Sequence, residues 1–588
     1  MPYLLILACF LISGITGLIY QVLWTRMIVG IIGSSPFSVT IVLSVFMAGL
    51  GLGSAIAGRT VDRVKKPQWL IRIYGLLELG IGLYCLVLPL LLLLFKPLYA
   101  WMYNRLFDHF LLYNLLTFAG CTLLLILPVT LMGATLPVLS RFFVNTLDRV
   151  GTHVGRLYGL NTIGSAAGSL LCGFWLINLV GVQGVLAVAV CLNVGIGVLC
   201  LLVSRRRTGW IESKETPEPS APRAAKVRKA APAAGERVPV GAVLAVFAVT
   251  GFCAMAYEVI WTRLLGLLVG PTTYSFTVVL VTFITGLALG SFFFGWLGDR
   301  VKSPAVLLVL TQVAAALTAL LASQVIGDSQ IFFAKLIALF QDSFGSLYLM
   351  KGAVLFGFMF LTTFTLGAAF PLVGKICTRS LAATGRSIGY AYAVNSIGAV
   401  LGSATAGFVL IPFLGKENGL RLVIALQLGT ALAAWLVIAA RRGAPLPGRL
   451  ALALPALVGF ALMAWFPRWD HVMLSMGKYH RFDRPEIREI GWLQSLFAWE
   501  KHFPDLKSEK LLFYGDGIGG FTTVLESTGL LGDVNYNLCN SGKPDASSTR
   551  DMDTQTLLAH FPLLYHPAPD DVLVIGLGSG ITAGEILH

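Results

Sequence analysis

Runs of apolar residues about 20 long, enough to cross a bilayer as a helix, recur along the chain as far as residue 441. They occupy 3–24, 36–58, 70–94, 111–135, 157–180 and 184–203, then 240–262, 273–297, 304–325, 352–374, 388–413 and 420–440. This pattern predicts two units of six membrane helices, residues 1–203 and 239–441. A further run, Leu450 to Phe466, lies within 442–466 and sits at the lower length limit for a thirteenth helix. Between the units, residues 204–238 carry Arg205-Arg206-Arg207 and a scatter of proline, alanine and charge. Such a composition buries no core and reads as a disordered tether. From Pro467 onward the pattern becomes mixed polar and aromatic, which sets off a tail.

The two units are copies of one another. Tyr20-Gln-Val-Leu-Trp24-Thr25-Arg26 returns 237 residues later as Tyr257-Glu-Val-Ile-Trp261-Thr262-Arg263. Gly49, Gly53 and Ser54 map in the same register onto Gly286, Gly290 and Ser291, and Asp62-Arg63 maps onto Asp299-Arg300. At an offset of 234, Gly155, Asn161, Gly164 and Gly168 become Gly389, Asn395, Gly398 and Gly402. A repeat this long fixes the architecture before any single motif is read. Glycines four apart, as in Gly49/Gly53 and Gly164/Gly168, clear one helix face and let backbones approach closely.

Composition agrees: of 588 residues 56% are hydrophobic and 12% charged, and the mean hydropathy of +0.80 excludes a soluble globular class. The formal net charge of +14 is better read by position. Arg59, Arg63, Lys65, Lys66, Arg141, Arg149 and Arg156 follow the second and fourth runs, and Arg300, Lys302, Lys375, Arg379 and Arg386 follow their copies. With the basic tether at 204–238, these loops are expected on the cytoplasmic side of a cell (plasma or inner) membrane. The bilayer explains the charge, and no nucleic-acid surface is needed. No basic segment precedes the first run, which argues against a cleaved leader. The nine cysteines show no metal-ligand spacing, so no metal is expected.

Ionisable and amide groups inside the apolar runs are few. Glu78 lies within the third run and Glu258 takes the place of Gln21 in the second copy. A carboxylate in hydrocarbon faces a cavity or a partner. Glu78 can serve a polar path or be a hydrogen-bonded packing group, whereas Glu258 is placed for a local ion pair with Arg263. Asn161 and Asn395, at matching positions, can line a central path or bridge helices. The loop Gly58-x-x-x-Asp62-Arg63-x-Lys65-Lys66 and its partner Gly295-x-x-x-Asp299-Arg300-x-Lys302 resemble the loop signature of the major facilitator superfamily. The resemblance spans about residues 1–441 and implies that family's two six-helix halves. The family's second glycine and full basic tail are missing here.

In the tail, Leu511–Tyr514 and Phe521–Glu526 read as strands around the glycine turn 515–520, a further strand is expected to end at Leu538, and a helix to start near Asp553. Asp571-Val-Leu-Val-Ile575 reads as a strand running into Gly576-Leu-Gly578-Ser579-Gly580 and a helical start, a loop that lets a nucleoside approach the backbone. Together with Asn540 to Ser547, Asp551 to Gln555 and Leu558 to Pro567, this order resembles the spermidine synthase (polyamine aminopropyltransferase) family, in the branch with a preceding membrane unit. The resemblance implies a small β-domain with a helix at 467–570 and a Rossmann-like α/β domain opening at 571–588. It further implies decarboxylated S-adenosylmethionine as co-substrate and a polyamine or other small amine as acceptor. Asp545, Gln555, Gly576, Gly578, Ser579 and Gly580 fall at its cofactor positions, although Ser579 replaces an acid common there.

The reading is therefore a mainly α, multi-pass membrane protein with an incomplete synthase-like tail. The main expectation is a membrane-bound aminopropyltransferase whose catalytic residues lie beyond His588, leaving this chain inactive. The alternative is a transporter with a regulatory or vestigial nucleoside-binding tail. A homo-oligomer and either side of the membrane for 467–588 remain open at this stage.

Overall fold

The structure, a computed structural model, describes residues 2–33, 36–205, 239–441, 446–480, 482, 484–497, 502–503, 509–516, 520–528, 533–549 and 551–587. Most of the expected tether, 206–238, lies outside the described residues. The first half comprises α1 (Pro2–Ile32), α2 (Pro36–Thr60), α3 (Pro67–Leu106), α4 (Phe110–Phe143), α5 (Val150–Leu171) and α6 (Ile177–Arg205). The second comprises α7 (Val240–Val269), α8 (Thr273–Gly298), α9 (Pro304–Gly327), α10 (Gln330–Phe340), α11 (Phe344–Leu366), α12 (Ala369–Cys377), α13 (Thr384–Thr405) and α14 (Gly415–Arg441). In hydrocarbon every backbone N–H must be satisfied within its own segment, so apolar runs become helices. Helical stretches 147–205 and 381–441 each hold two crossings, turned at Gly181 (φ 68°) and Gly415 (φ 76°). Helices α11 and α12 make one crossing broken near Gly367, and each half thus has six.

Helix α3 extends past its expected end at 94. At 40 residues it is about 60 Å long, twice the hydrocarbon thickness of about 30 Å. Its last turns carry Tyr99, Trp101 and Tyr103, amphipathic rings suited to a membrane boundary. Neither Pro89 nor Pro97 ends it.

Glycine governs the packing within each half. A Cβ at Gly53 would stand 1.8 Å from the Thr130 carbonyl oxygen, and one at Gly290 would stand 1.9 Å from that of Phe364. Gly164 and Gly398 are equally tight, against Leu11 O at 2.2 Å and Ala248 O at 1.9 Å. The glycine pairs seen in the sequence thus press α2 on α4 and α5 on α1, and do the same in the copy. The halves meet through α2 with α13 and α5 with α8. Gly389 lies against Ser54 and Gly58 in one of these contacts, and Gly155 against Ser291 and Gly295 in the other.

A thirteenth long helix, α15 (Leu446–Trp465), packs on α14. The Arg421 guanidinium, near the start of α14, donates to the carbonyls of Met463 (2.8 Å), Phe466 (3.2 Å) and Pro467 (2.9 Å) at the far end of α15. The two helices are therefore antiparallel, and the cation satisfies the orphan carbonyls of the helix terminus. The tail consequently starts at the end of the bundle opposite the Asp62 and Asp299 loops.

The tail holds short helices α16 (His471–Ser475), α17 (Pro485–Glu489) and α18 (Trp492–Phe497). An antiparallel sheet follows, with β1 (Lys510–Asp516), β2 (Phe521–Thr528), β3 (Val534–Asn540) and β4 (Lys543–Ser547) in the order β1-β2-β3-β4. Ser541 (φ 51°) and Gly542 (φ 79°) form the β3–β4 turn, both left-handed as a two-residue hairpin requires. The platform for the tail is α10: Ile331 and Ala334 pack with Met473, Met476, Ile487 and Phe503, and Lys335 Nζ donates to the carbonyls of Arg488 (2.9 Å) and Ile490.

The expected Rossmann-like domain is not what forms. The sheet is small and purely antiparallel, and 571–575 is not a strand. Val572, Leu573 and Ile575 are 47%, 83% and 92% exposed. A parallel strand is held by neighbours on its edges, and among the described residues none runs beside this segment. Helices α19 (Met552–Tyr565) and α20 (Ile581–Ile586) pack on each other instead.

Candidate functional site

At the basic-loop end, each half staples the other. Asp62 Oδ1 and Oδ2 accept from the backbone N–H groups of Gly385 (2.9 Å) and Arg386 (2.8 Å) in the first turn of α13. Asp299 accepts in the same way from Gly151 (3.0 Å) and Thr152 (2.7 Å) in the first turn of α5. A carboxylate at a helix N-terminus meets both free donors and the positive end of the dipole. Arg141 stands 3.6 Å from Asp62 and Lys375 3.1 Å from Asp299, and both also reach carbonyls of the opposite half. Arg300 instead lies over the Trp296 ring, while Arg63 ends the short turn after α2.

Midway along the bundle is a cavity of about 210 Å³ between the halves. Each residue that lines it in one half has its repeat partner in the lining: Ser13 with Thr250, Gln21 with Glu258, Phe46 with Phe283, Tyr158 with Tyr392, Asn161 with Asn395. The cavity therefore sits on the axis that relates the two copies. Asn161 Nδ2 donates to Phe10 O at 3.2 Å. Glu258 is the single carboxylate in the described lining, which holds no Lys, Arg or His, and it makes no ion pair among the described residues. The expected pair with Arg263 is not formed; the carboxylate turns into the space between the halves, where both cavities reach it.

Glu78 stands one layer behind this wall and is fully buried. Ser13 Oγ donates to its Oε1 and Asn193 Nδ2 to its Oε2, both at 2.6 Å, and Tyr20 OH donates to Asn193 Oδ1 at 3.2 Å. The second half repeats this arrangement with amides alone. There Thr250 Oγ1 (2.9 Å) and Gln427 Nε2 (3.1 Å) donate to Gln312 Oε1, and Tyr257 OH donates to Gln427 (2.6 Å). Gln312 thus occupies in one half the role of Glu78 in the other. A neutral side chain is already accommodated there, so Glu78→Gln is expected to leave thermal stability in detergent within about 1 kcal/mol of the parent, one hydrogen bond's worth. A loss several times larger would show that the carboxylate itself holds the helices.

Toward the tail lies a larger cavity of about 440 Å³. Its walls include Arg26 and Arg263, the ends of the repeated Trp-Thr-Arg, together with Lys416 on α14. Its cover is the tail: Asp516 and Phe521, cross-strand partners at the β1–β2 end, with Gly520 and Ser541. Lys416 Nζ is 2.5 Å from Asp516 Oδ2, with side chains only 2% and 3% exposed, and lies 4.0 Å over the Phe521 ring. Its neighbour Glu417 gathers Arg421 (3.0 Å), Arg468 (3.5 Å) and His471 (3.4 Å). The nearby Tyr514 phenol is pushed above its usual range by burial first, then by the Asp516 and Glu417 carboxylates, and stays neutral. Neither Lys416 nor Asp516 was singled out from sequence; the Trp-Thr-Arg repeat marked Arg26 and Arg263, the latter only as the expected partner of Glu258.

The tail residues singled out from sequence gather only in part. Ser579 Oγ donates to Gln555 Oε1 at 2.5 Å, and Gln555 Nε2 donates to the carbonyls of Ser547 and Asp551. Gly576, Gly578 and Gly580 take φ of 92°, 55° and 80°, with open space where a Cβ would point. Asp545 is exposed on β4.

A family model described as Major Facilitator Superfamily matches residues 4–403. No curated protein matches the chain. Among solved structures, the human organic anion transporter MFSD10 (TETRAN) is 11% identical with a TM-score of 0.46, over 73% of this chain and 98% of that one. An auto-inhibited POT family peptide transporter is 14% identical with a TM-score of 0.31, over 79% and 97%. The match at 4–403 overturns the aminopropyltransferase reading as the chain's main function: it covers the first repeat and most of the second, and no comparison supports a spermidine synthase part. The paired staples, the shared axial cavity and most of the repeat fall inside the matched residues, and the chain belongs to the Major Facilitator Superfamily.

Proposed function

We propose that the chain is a small-molecule transporter that exposes its axial cavity alternately to the two faces of a cell membrane. One observation carries this: the cavity is walled throughout by repeat-related residues of both halves, so any rocking of one half on the other opens it. In the present state the basic-loop face is shut by the two aspartate staples. By the distribution of basic residues that face is cytoplasmic, and the tail, at the other end, lies outside. A cofactor made in the cytoplasm would not reach it there.

Counterflow into proteoliposomes tests the reading. From a panel of radiolabelled organic acids, amines and neutral solutes, at least one is expected to accumulate above empty vesicles. Ala254→Trp, which fills the cavity from its wall, should lower that uptake at least tenfold. A panel with no accumulation, or uptake indifferent to the tryptophan, would remove transport through this cavity.

A further inference from the structure

The axial cavity carries a charge that its repeat-related position lacks. Glu258 is 8% exposed, and its carboxylate makes no ion pair or side-chain hydrogen bond among the described residues. Its repeat partner in the same wall is Gln21, so packing at this position is met by a neutral side chain of nearly the same shape. A carboxylate in a membrane interior is retained where it meets a partner or a ligand. The cations Arg26, Arg263 and Lys416 line the tail-side cavity, which Glu258 also borders. None of them forms an ion pair with it; Lys416 bonds to Asp516, and Arg263 interacts with that same carboxylate. Aromatic rings make up much of the axial wall. Tyr158, Phe370 and Tyr392 form one cluster, with ring centroids between 4.7 and 6.5 Å apart, and Phe247 stands 6.0 Å from Phe370. Phe46 and Phe283, a repeat pair, line the cavity as well. The other polar groups there are neutral, hydroxyls such as Ser13, Thr250 and Ser396 and the amides of Gln21, Asn161 and Asn395.

We propose that the solute of the axial cavity is a compact organic cation, its ammonium held by Glu258 and its apolar body set against the aromatic wall. The proposal deepens the transport reading and rests on it for passage across the membrane, whereas binding is measurable without flux. One carboxylate with no Lys, Arg or His in the described lining favours positive charge in the chamber. Ring faces add cation–π attraction, which suits an ammonium group. Hydroxyl and amide oxygens in the wall can accept from its remaining N–H groups. At about 210 Å³ the cavity is smaller than the roughly 300–1,000 Å³ of drug-sized sites, which limits the occupant to a small amine.

Benzylammonium is a suitable probe, titrated by calorimetry into the full chain in a neutral maltoside detergent, with benzyl alcohol and benzoate as controls of similar size. Saturable binding of the cation and none of the neutral or anionic analogue is expected. Glu258→Gln, which copies the amide of Gln21, should unfold thermally as the parent does and weaken binding at least about tenfold, because it removes one partner of a buried charge pair. Glu258→Asp, which keeps the charge, should recover part of the loss. Binding that depends on Glu258, with no solute accumulating in proteoliposomes, would uphold the site and remove the transport reading. Accumulation of an acid or a neutral solute that Ala254→Trp blocks, with no binding of benzylammonium, would keep transport and overturn the cation. Equal binding of all three probes, unchanged affinity in Glu258→Gln, or displacement of benzylammonium by equimolar potassium chloride also overturns the proposal.

Discussion

Lys416→Met is expected to loosen the tail from the bundle by about 3–5 kcal/mol, the cost of leaving one member of a buried ion pair without its partner. Lys416 and Asp516 lie 100 residues apart and meet at 2.5 Å, both almost free of solvent. Asp516 Oδ1 has no hydrogen-bond partner among the described residues, so removing the lysine takes away the cation bonded to this buried carboxylate. At 1.4 kcal/mol per decade, amides of the β1–β2 hairpin that exchange by undocking should exchange about 10²–10³ times faster. Hydrogen exchange followed by mass spectrometry reads this directly. The double variant Lys416→Met/Asp516→Leu puts apolar groups of similar size at both positions and should recover most of the loss, because two matched apolar groups often equal a buried pair. Exchange within a few-fold of the parent in the single variant would mean that α10 and its cluster hold the tail unaided.

How far this was legible in the sequence depended on the range of the interaction. The helices are local consequences of apolar runs, and the repeat shows their order twice, so the two six-helix halves could be read directly. Asn161 and Asn395 stood out because the repeat kept them, and both reach the axial cavity. Glu78 stood out as a charge in an apolar run, but its partners Ser13 and Asn193 lie on other helices, and helix rotation is not written in spacing. Lys416 and Asp516 looked unremarkable singly; their meaning comes from a contact between bundle and tail. Helix α10 was missed because its 11 residues are too few for a crossing, yet it is the surface on which the tail rests. At 571–575 local β-branched preference pointed to a strand, and the lack of a pairing neighbour among the described residues decided otherwise.

Asp62→Ala/Asp299→Ala is expected to open the basic-loop face. Each carboxylate holds two backbone N–H groups of the other half, with side chains 17% and 6% exposed. Hydrogen bonds to a charged acceptor contribute about 1.5–3 kcal/mol each. Even if partial exposure halves this, one staple of two such bonds biases the closed state by about 1.5–3 kcal/mol and the pair by about 3–6 kcal/mol. Moving a two-state equilibrium from 1:99 to 99:1 takes about 5.5 kcal/mol, which lies within the range of both staples together and beyond that of one alone. Spin labels at Thr146 and Ser380, exposed repeat-related positions beside the staples, report the separation in a cysteine-free background. The parent should show a short distance, each single variant a mixture, and the double variant a mostly long one. The graded response matters, because the repeat makes the staples equivalent and their contributions should add. A double variant that keeps the parent's short distance would show that helix packing through Gly155 and Gly389, and not the aspartates, keeps this face shut.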